Sequence, residues 1–226
     1  MLLFNRPGNY FLLLMNLALF LFSNQSFGSE VSQIKKIEKY LNGIHSLEAD
    51  ILQIDPYGNK ISGIIKLKKP GKLRIEYDTQ KADHLILASD GILAIIDYGS
   101  NAEPLRYPIN ETPLKYLSNK ELDLLDPSIK CKISTSGNYI KLKITEVDKS
   151  FGLGRIVLQF VAEPISIVGW EIPLNKEQNT KILLKNLTTN REIQDDLFYV
   201  SAELMKFYNR KNEWILLQKT IFLFLI

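Results

Sequence analysis

The stretch Lys66–Asp78, KLKKPGKLRIEYD, alternates almost residue by residue between charged and apolar side chains around a central Pro-Gly. Successive side chains of a β-strand point to opposite faces. Leu73, Ile75 and Tyr77 therefore share one face, and Lys72, Arg74 and Glu76 the other. Ile65 and Leu67 alternate with Lys66 and Lys68 in the same way, and Pro70-Gly71 is a turn dipeptide. This pattern predicts a β-hairpin with one wet face and one dry face.

The same texture continues on both sides. Strands are expected over Leu47–Asp55, with PYGNK as its turn, Gly63–Lys68, Leu73–Asp78, His84–Ala88 and Ile92–Tyr98, with SDG (Ser89–Gly91) between the last two. After Pro127 strands are expected over Ile129–Ile133, Tyr139–Val147, Arg155–Val161, Ile165–Ile172 and Thr180–Leu187. Ile140, Leu142 and Ile144 alternate with polar neighbours, and Ile156, Leu158 and Phe160 share one side of a more apolar strand. Turn signals about every 8 to 12 residues are the spacing of an antiparallel meander. Two segments depart from it. Val31, Ile34, Ile37 and Leu41 are spaced by three and four, which predicts an amphipathic helix over Glu30–Asn42. In ETPLKYLSNKELDLLDP, Leu114, Leu117, Leu122 and Leu125 have helical spacing within each half, with Thr112-Pro113 and Ser118 as starts for two short helices. The expected fold is α+β, a single curved antiparallel sheet with an N-terminal helix and a short helical insert.

Ahead of this domain the chain has Arg6, an apolar run from Tyr10 to Phe22, and the small polar stretch SNQSFGSE. This is the layout of a secretory signal peptide, with cleavage expected after Gly28. The apolar run is short for a membrane span, which needs about 20 residues. Losing Arg6 takes the formal net charge from +3 to +2, too weak a bias to suggest nucleic acid. Cys131 is the one cysteine, so no intramolecular disulfide is possible and stability must come from burial. The chain divides into a signal peptide over 1–28, one domain over 29–200 and a C-terminal extension over 201–226 that ends in an apolar run from Trp214. Thirteen residues of helix reach only about 20 Å, short of a bilayer.

Catalytic patterns are missing. His45 and His84 sit in no metal-ligand spacing, GLGRIV at Gly152 lacks the third glycine of a dinucleotide loop and precedes a strand, and the acids fall mostly at turns, as Asp90 and Asp126 do. No enzyme, cofactor or metal is expected. On pattern alone the dry face reads as a core covered by helices ahead of a ligand cavity, and periodicity does not decide between the two.

The order of four motifs resembles the periplasmic outer-membrane lipoprotein carrier family LolA, in its alphaproteobacterial form. They are GIIKLKKPGKLRIEYD at Gly63, LILASDGILAIIDY at Leu85, YPINETPLKYLSNKELDL at Tyr107, and GWEIPLNKEQNTKILLKNLTTNREIQDDLF at Gly169. The resemblance implies an open half-barrel whose concave apolar face is closed by the insert acting as a lid. It implies a periplasmic, monomeric carrier that takes lipidated proteins from an inner-membrane ABC transporter complex to an outer-membrane receptor, with no nucleic-acid partner. The expected acyl-chain cavity and lid comprise Ile65, Leu67, Leu73, Ile75, Tyr77, Leu87, Leu114, Leu117, Leu122, Leu125, Ile156, Leu158 and Phe160. Each buried methylene stabilises by about 0.8 kcal/mol, so long acyl chains need such a solvent to cross water. Where the family commonly has an arginine before the Pro-Gly, resembling a latch to the lid, this chain has Lys69, which keeps the charge and loses the planar fork. Arg74 matches a family arginine, and its alternation puts it on the wet face. A lipid- or lipoprotein-binding sensor on the same fold is the alternative function, and a uniformly packed structural domain a third.

Overall fold

The computed structural model describes residues 25–78, 84–100, 102–148, 154–175 and 177–224, with side chains from Glu30 to Glu213. The expected leader, up to Asn24, lies outside the described residues, as do the side chains of the apolar run from Trp214.

Eleven antiparallel strands form one open sheet: β1 (Ser46–Ile54), β2 (Lys60–Lys68), β3 (Lys72–Asp78), β4 (His84–Ser89), β5 (Ile92–Asp97), β6 (Leu105–Pro108), β7 (Ile129–Ser136), β8 (Tyr139–Glu146), β9 (Arg155–Val161), β10 (Ser166–Pro173) and β11 (Asn179–Thr189). Their spatial order is β6-β5-β4-β3-β2-β1-β11-β10-β9-β8-β7, two meanders joined at the centre by the β1–β11 pair. Helix α1 (Gln25–Asn42) precedes the sheet, the single turn α2 (Lys115–Ser118) lies in the insert, and α3 (Val200–Phe224) ends the chain. β6 and α3 are elements that the sequence pattern did not predict.

The hairpins form where the turn chemistry directs. Ser89 pairs with Ile92 across Asp90 and Gly91, whose φ angles are +52° and +80°. Two positive φ values give the turn that matches the twist of adjacent strands, and Asp-Gly supplies them with little strain. The opening stretch folds as the alternation requires: Leu67 pairs with Leu73 and Ile65 with Ile75, all four buried.

Pairing fixes which residues share a face. Leu73, Ile75 and Tyr77 stand opposite Ala88, Ile86 and His84, and Ile86 and Ala88 stand opposite Ile95 and Leu93. That face is concave. Across β8 to β10 it continues through Leu142, Ile144, Ile156, Leu158, Phe160 and Trp170, all buried. Helix α1 lays Ile34, Ile37 and Leu41 onto it, with the Tyr40 ring edge-on to Phe160 at 6.1 Å. Burying such side chains stabilises by roughly 1.5–3 kcal/mol each.

The other face is not uniformly wet. Leu85, Leu87, Ala94 and Ile96 form a second core with Ile193, Phe198 and Phe207, covered by the 3-10 turn Asp195–Phe198 and the first half of α3. Two expectations are corrected here. Leu87, expected in the cavity, pairs with Arg74 and so lies on this outer face. Arg74, expected on a wet face, is shielded: its guanidinium donates to the Leu197 carbonyl at 3.0 Å and meets Glu203 at 3.2 Å, with 15% of its side chain exposed. Glu203 also accepts from the Tyr98 hydroxyl at 2.5 Å and from Lys206 at 2.9 Å. Burial works against its charge, but these donors outweigh it and hold the carboxyl below the usual range.

Candidate functional site

The insert between β6 and β7 sits over the concave face, and it is less helical than its leucine spacing suggests. It holds a 3-10 turn at Ile109–Glu111 and the four-residue α2, and the expected second helix from Ser118 is a run of turns. The spacing Leu122 to Leu125 therefore does not mark a face. Leu122 and Leu124 are buried, while Leu125 is 45% exposed and is corrected from the lid's inner lining to its outside.

Side chains of α1 and a backbone amide of the β2–β3 turn tie down the middle of the insert. The Asn42 side chain donates to the Leu122 carbonyl and accepts from the Leu122 amide, both at 2.9 Å. Glu38 accepts the Leu124 amide at 2.7 Å. The Gly71 amide of the β2–β3 turn donates to the Ser118 carbonyl at 2.8 Å. Lys69, the expected latch, reaches the end of α1 instead of the insert. Its ammonium donates to the Leu41 carbonyl at 2.8 Å, and its amide donates to the His45 carbonyl, also at 2.8 Å. A cation on the last carbonyls of a helix is well placed against the helix dipole. Burial pushes the Lys69 amine below its ordinary value.

Beneath α2 the concave face is nearly filled. Leu41, Ile65, Leu67, Leu117 and Trp170 border a void of only about 20 Å³. Ile65, Leu67, Leu73, Ile75, Leu117, Leu122, Ile156, Leu158 and Phe160 are thus buried core in this state. Tyr77 is half-buried beside them and donates its hydroxyl to the Gln53 side-chain oxygen at 2.6 Å. A larger space lies to one side of that void. A cavity of about 750 Å³ is walled by Ile86, Leu93, Ile95, Leu114 and Ile172, with Tyr107, Thr112 and Pro113 on its rim. Of the expected cavity residues only Leu114 borders it. Ile86, Leu93, Ile95 and Ile172 were missed, although Ile86 and Ile95 follow from the alternation of Ile75 once the strand register is known. A pocket of 300–1,000 Å³ with mostly apolar walls is the size that encloses a small amphiphile.

No group of three or more metal-binding side chains occurs among the described residues. No described helix is long and apolar enough to cross a membrane.

An open antiparallel sheet, curved around an apolar cavity and bridged by an insert, defines a class of binding proteins for apolar chains. Within that class, the sequence model of the family described as outer membrane lipoprotein carrier protein LolA matches residues 42–201, and the chain belongs to this family. It is a periplasmic family of lipoprotein-binding, carrier-like proteins. No curated protein matches the chain in sequence. Among solved structures, the fold is similar to the LolA superfamily protein NE2245 from Nitrosomonas europaea, at 10% identity and a TM-score of 0.41, covering 74% of this chain and 98% of that one. It is similar also to a DUF1329 family protein from Desulfovibrio piger, at 13% identity and a TM-score of 0.45, covering 75% and 96%. The Pseudomonas aeruginosa MucA/MucB complex contains a further similar chain, at 14% identity and a TM-score of 0.45, covering 76% and 61%. Nearly all of α3 lies beyond the segment that the family model matches.

Proposed function

We propose that this protein is a monomeric periplasmic carrier, freed by cleavage of its leader, that shields the acyl chains of lipoproteins. It takes them from an inner-membrane ABC transporter complex to an outer-membrane receptor, and no catalytic step or cofactor is part of this work. The observation that carries the proposal is the apolar cavity of about 750 Å³ bordered by Ile86, Leu93, Ile95, Leu114 and Ile172 in a chain of this family. Transfer of a methylene from water to such a wall gains about 0.8 kcal/mol, so a chain of ten methylenes gains enough to be held and little enough to be released to a bilayer.

In this reading the insert is the cover. The bonds from Asn42, Glu38 and Gly71 fix its middle, while its first residues, Glu111 to Leu114, border the cavity and yield first when a chain enters. Depletion of the protein followed by membrane fractionation tests the proposal. Lipoproteins of the outer membrane should accumulate in the inner-membrane fraction, and unchanged delivery would refute the carrier role.

A second reading, a lipid- or lipoprotein-binding sensor, draws on α3, a helix beyond the family-matched segment that occupies the outer face of β4 and β5. Native mass spectrometry separates the two. A sensor retains a bound lipid and transfers no acylated peptide to acceptor membranes.

A further inference from the structure

On the outer face of β7, β8 and β9 the charged side chains are all cations. The strand registers place Lys130, Lys132, Lys141, Lys143 and Arg155 there, alternating along each strand with concave-face residues such as Leu142, Ile144 and Ile156. The remaining outward positions of these strands are uncharged, and all four lysines are exposed. Two acids adjoin the face: Glu171 of β10, which accepts from Lys141 at 3.2 Å, and Asp148, which follows β8. Residues 149–153, between β8 and β9, lie outside the described residues and by sequence add a lysine and no acid.

This arrangement works against the fold. Lys132 stands directly opposite Lys143, and like charges paired across strands destabilise a sheet. Adjacent lysines of the ladder are about 5–7 Å apart at their Cα atoms, inside the screening length of about 8 Å at physiological salt. Lys130 and Lys132 lie on an edge strand, where lysines guard against pairing with other chains. β8 is paired on both sides, so Lys141 and Lys143 have no edge to guard. Their repulsion is relieved when an anionic surface faces them.

We propose that this face docks the protein on a bilayer that contains anionic phospholipid. The centre of a stable protein interface is apolar and depleted of lysine, the reverse of what this face offers. A lysine is a flexible point charge, suited to a fluid array of phosphates that presents no fixed geometry to match. The face points away from the concave side, so docking through it leaves the cavity and the insert unobstructed.

Each lysine held close to an anionic bilayer changes partitioning by about fivefold. The test is sedimentation of the full chain with vesicles of phosphatidylcholine, alone or with about one third phosphatidylglycerol. Binding to the anionic vesicles should be at least about tenfold stronger in low salt, and the preference should vanish in about 0.5 M salt. Lys132→Gln combined with Lys143→Gln should weaken binding to the anionic vesicles about 25-fold. Lys132→Arg combined with Lys143→Arg keeps the charge and should bind as the wild type does. Lys35→Gln combined with Lys39→Gln removes the same charge from exposed positions of α1 and should weaken binding less than about threefold. Equal binding to the two kinds of vesicle, or an equal loss in the two glutamine pairs, would overturn the docking face. Salt-sensitive binding of polyglutamate without binding of anionic vesicles would assign the face to an acidic polypeptide and overturn the bilayer. The cavity is unchanged in every variant, so failure here leaves the carrier reading standing.

Discussion

Replacing Phe207 by alanine tests whether the C-terminal helix is part of the folded domain. The Phe207 side chain is 3% exposed, with its ring centroid 6.2 Å from that of Tyr98, and it closes the outer core over Leu85, Leu87, Ala94 and Ile96. Truncating a buried phenylalanine costs about 3–5 kcal/mol, from lost transfer energy and the cavity left behind. We take the low end, about 3 kcal/mol, because α3 meets the sheet through one face only and can settle into the gap. For a chain of this size each kcal/mol lowers Tm by about 2–4 °C, giving a fall of roughly 6–12 °C. The same substitution at Met205, 65% exposed on the same helix, should leave stability within about 0.5 kcal/mol. Thermal unfolding by circular dichroism measures the Tm, and binding of an apolar dye measures any undocking of α3 that leaves the sheet folded. If Phe207→Ala changed neither the Tm nor dye binding beyond the Met205→Ala control, α3 would not cover the sheet and the outer core would be wrongly drawn.

Four further outcomes are expected. In Asn42→Ala the insert loses both bonds to Leu122, which should cost about 1–2 kcal/mol and speed exchange of the Leu122 amide in hydrogen-exchange measurements. Gly63 lies in β2 opposite Tyr77, and a Cβ there would meet the Glu76 carbonyl of β3, so Gly63→Ala should destabilise by about 1–3 kcal/mol in urea unfolding. Burial pushes the Tyr77 hydroxyl up to about 12 and the Cys131 thiol up to about 11. Raised folded-state values mean that the folded chain holds these protons more tightly. Their contribution is whole below the ordinary values and is lost as pH rises toward 11 and 12, so stability should fall across that alkaline range in pH-dependent unfolding. Correspondingly, Cys131 should react with a thiol reagent at pH 8 much more slowly in the folded protein than in urea.

The alternation of Leu73, Ile75 and Tyr77 was sufficient to place the dry face, because the other side of β3 carries only charged residues. β4 was ambiguous for the opposite reason. HLILAS is apolar on both faces, since the concave core takes Ile86 and the outer core takes Leu85 and Leu87. Only the pairing of Leu87 with Arg74 assigns it outward. Leu124 and Leu125 were exchanged because a helical period was applied to a segment that turns instead, held by the Asn42 and Glu38 side chains of α1, 80 and 86 residues away in sequence. The open cavity was not legible at all. Many apolar positions line the concave face, and which of them stay uncovered depends on where the insert is tied. α3 was obscured by its own composition, since Phe207 is flanked by the polar run of Asn209 to Glu213, and its role rests on an outer face that the hairpin pattern marks as wet.

The position of β1 beside β11 makes completion of the sheet a late event. The His45 amide is satisfied by the Asn190 side chain, 145 residues further along, and the Ser46 hydroxyl by the Arg191 carbonyl. Each meander can zip locally, but the seam between them waits for nearly the whole chain, and topologies with such distant pairings fold slowly. Until the seam closes, the inner edges of both half-sheets and their apolar faces are open together, the condition in which strands pair with the wrong partner. The β1–β11 seam is thus the step that turns two adhesive half-sheets into one finished interior.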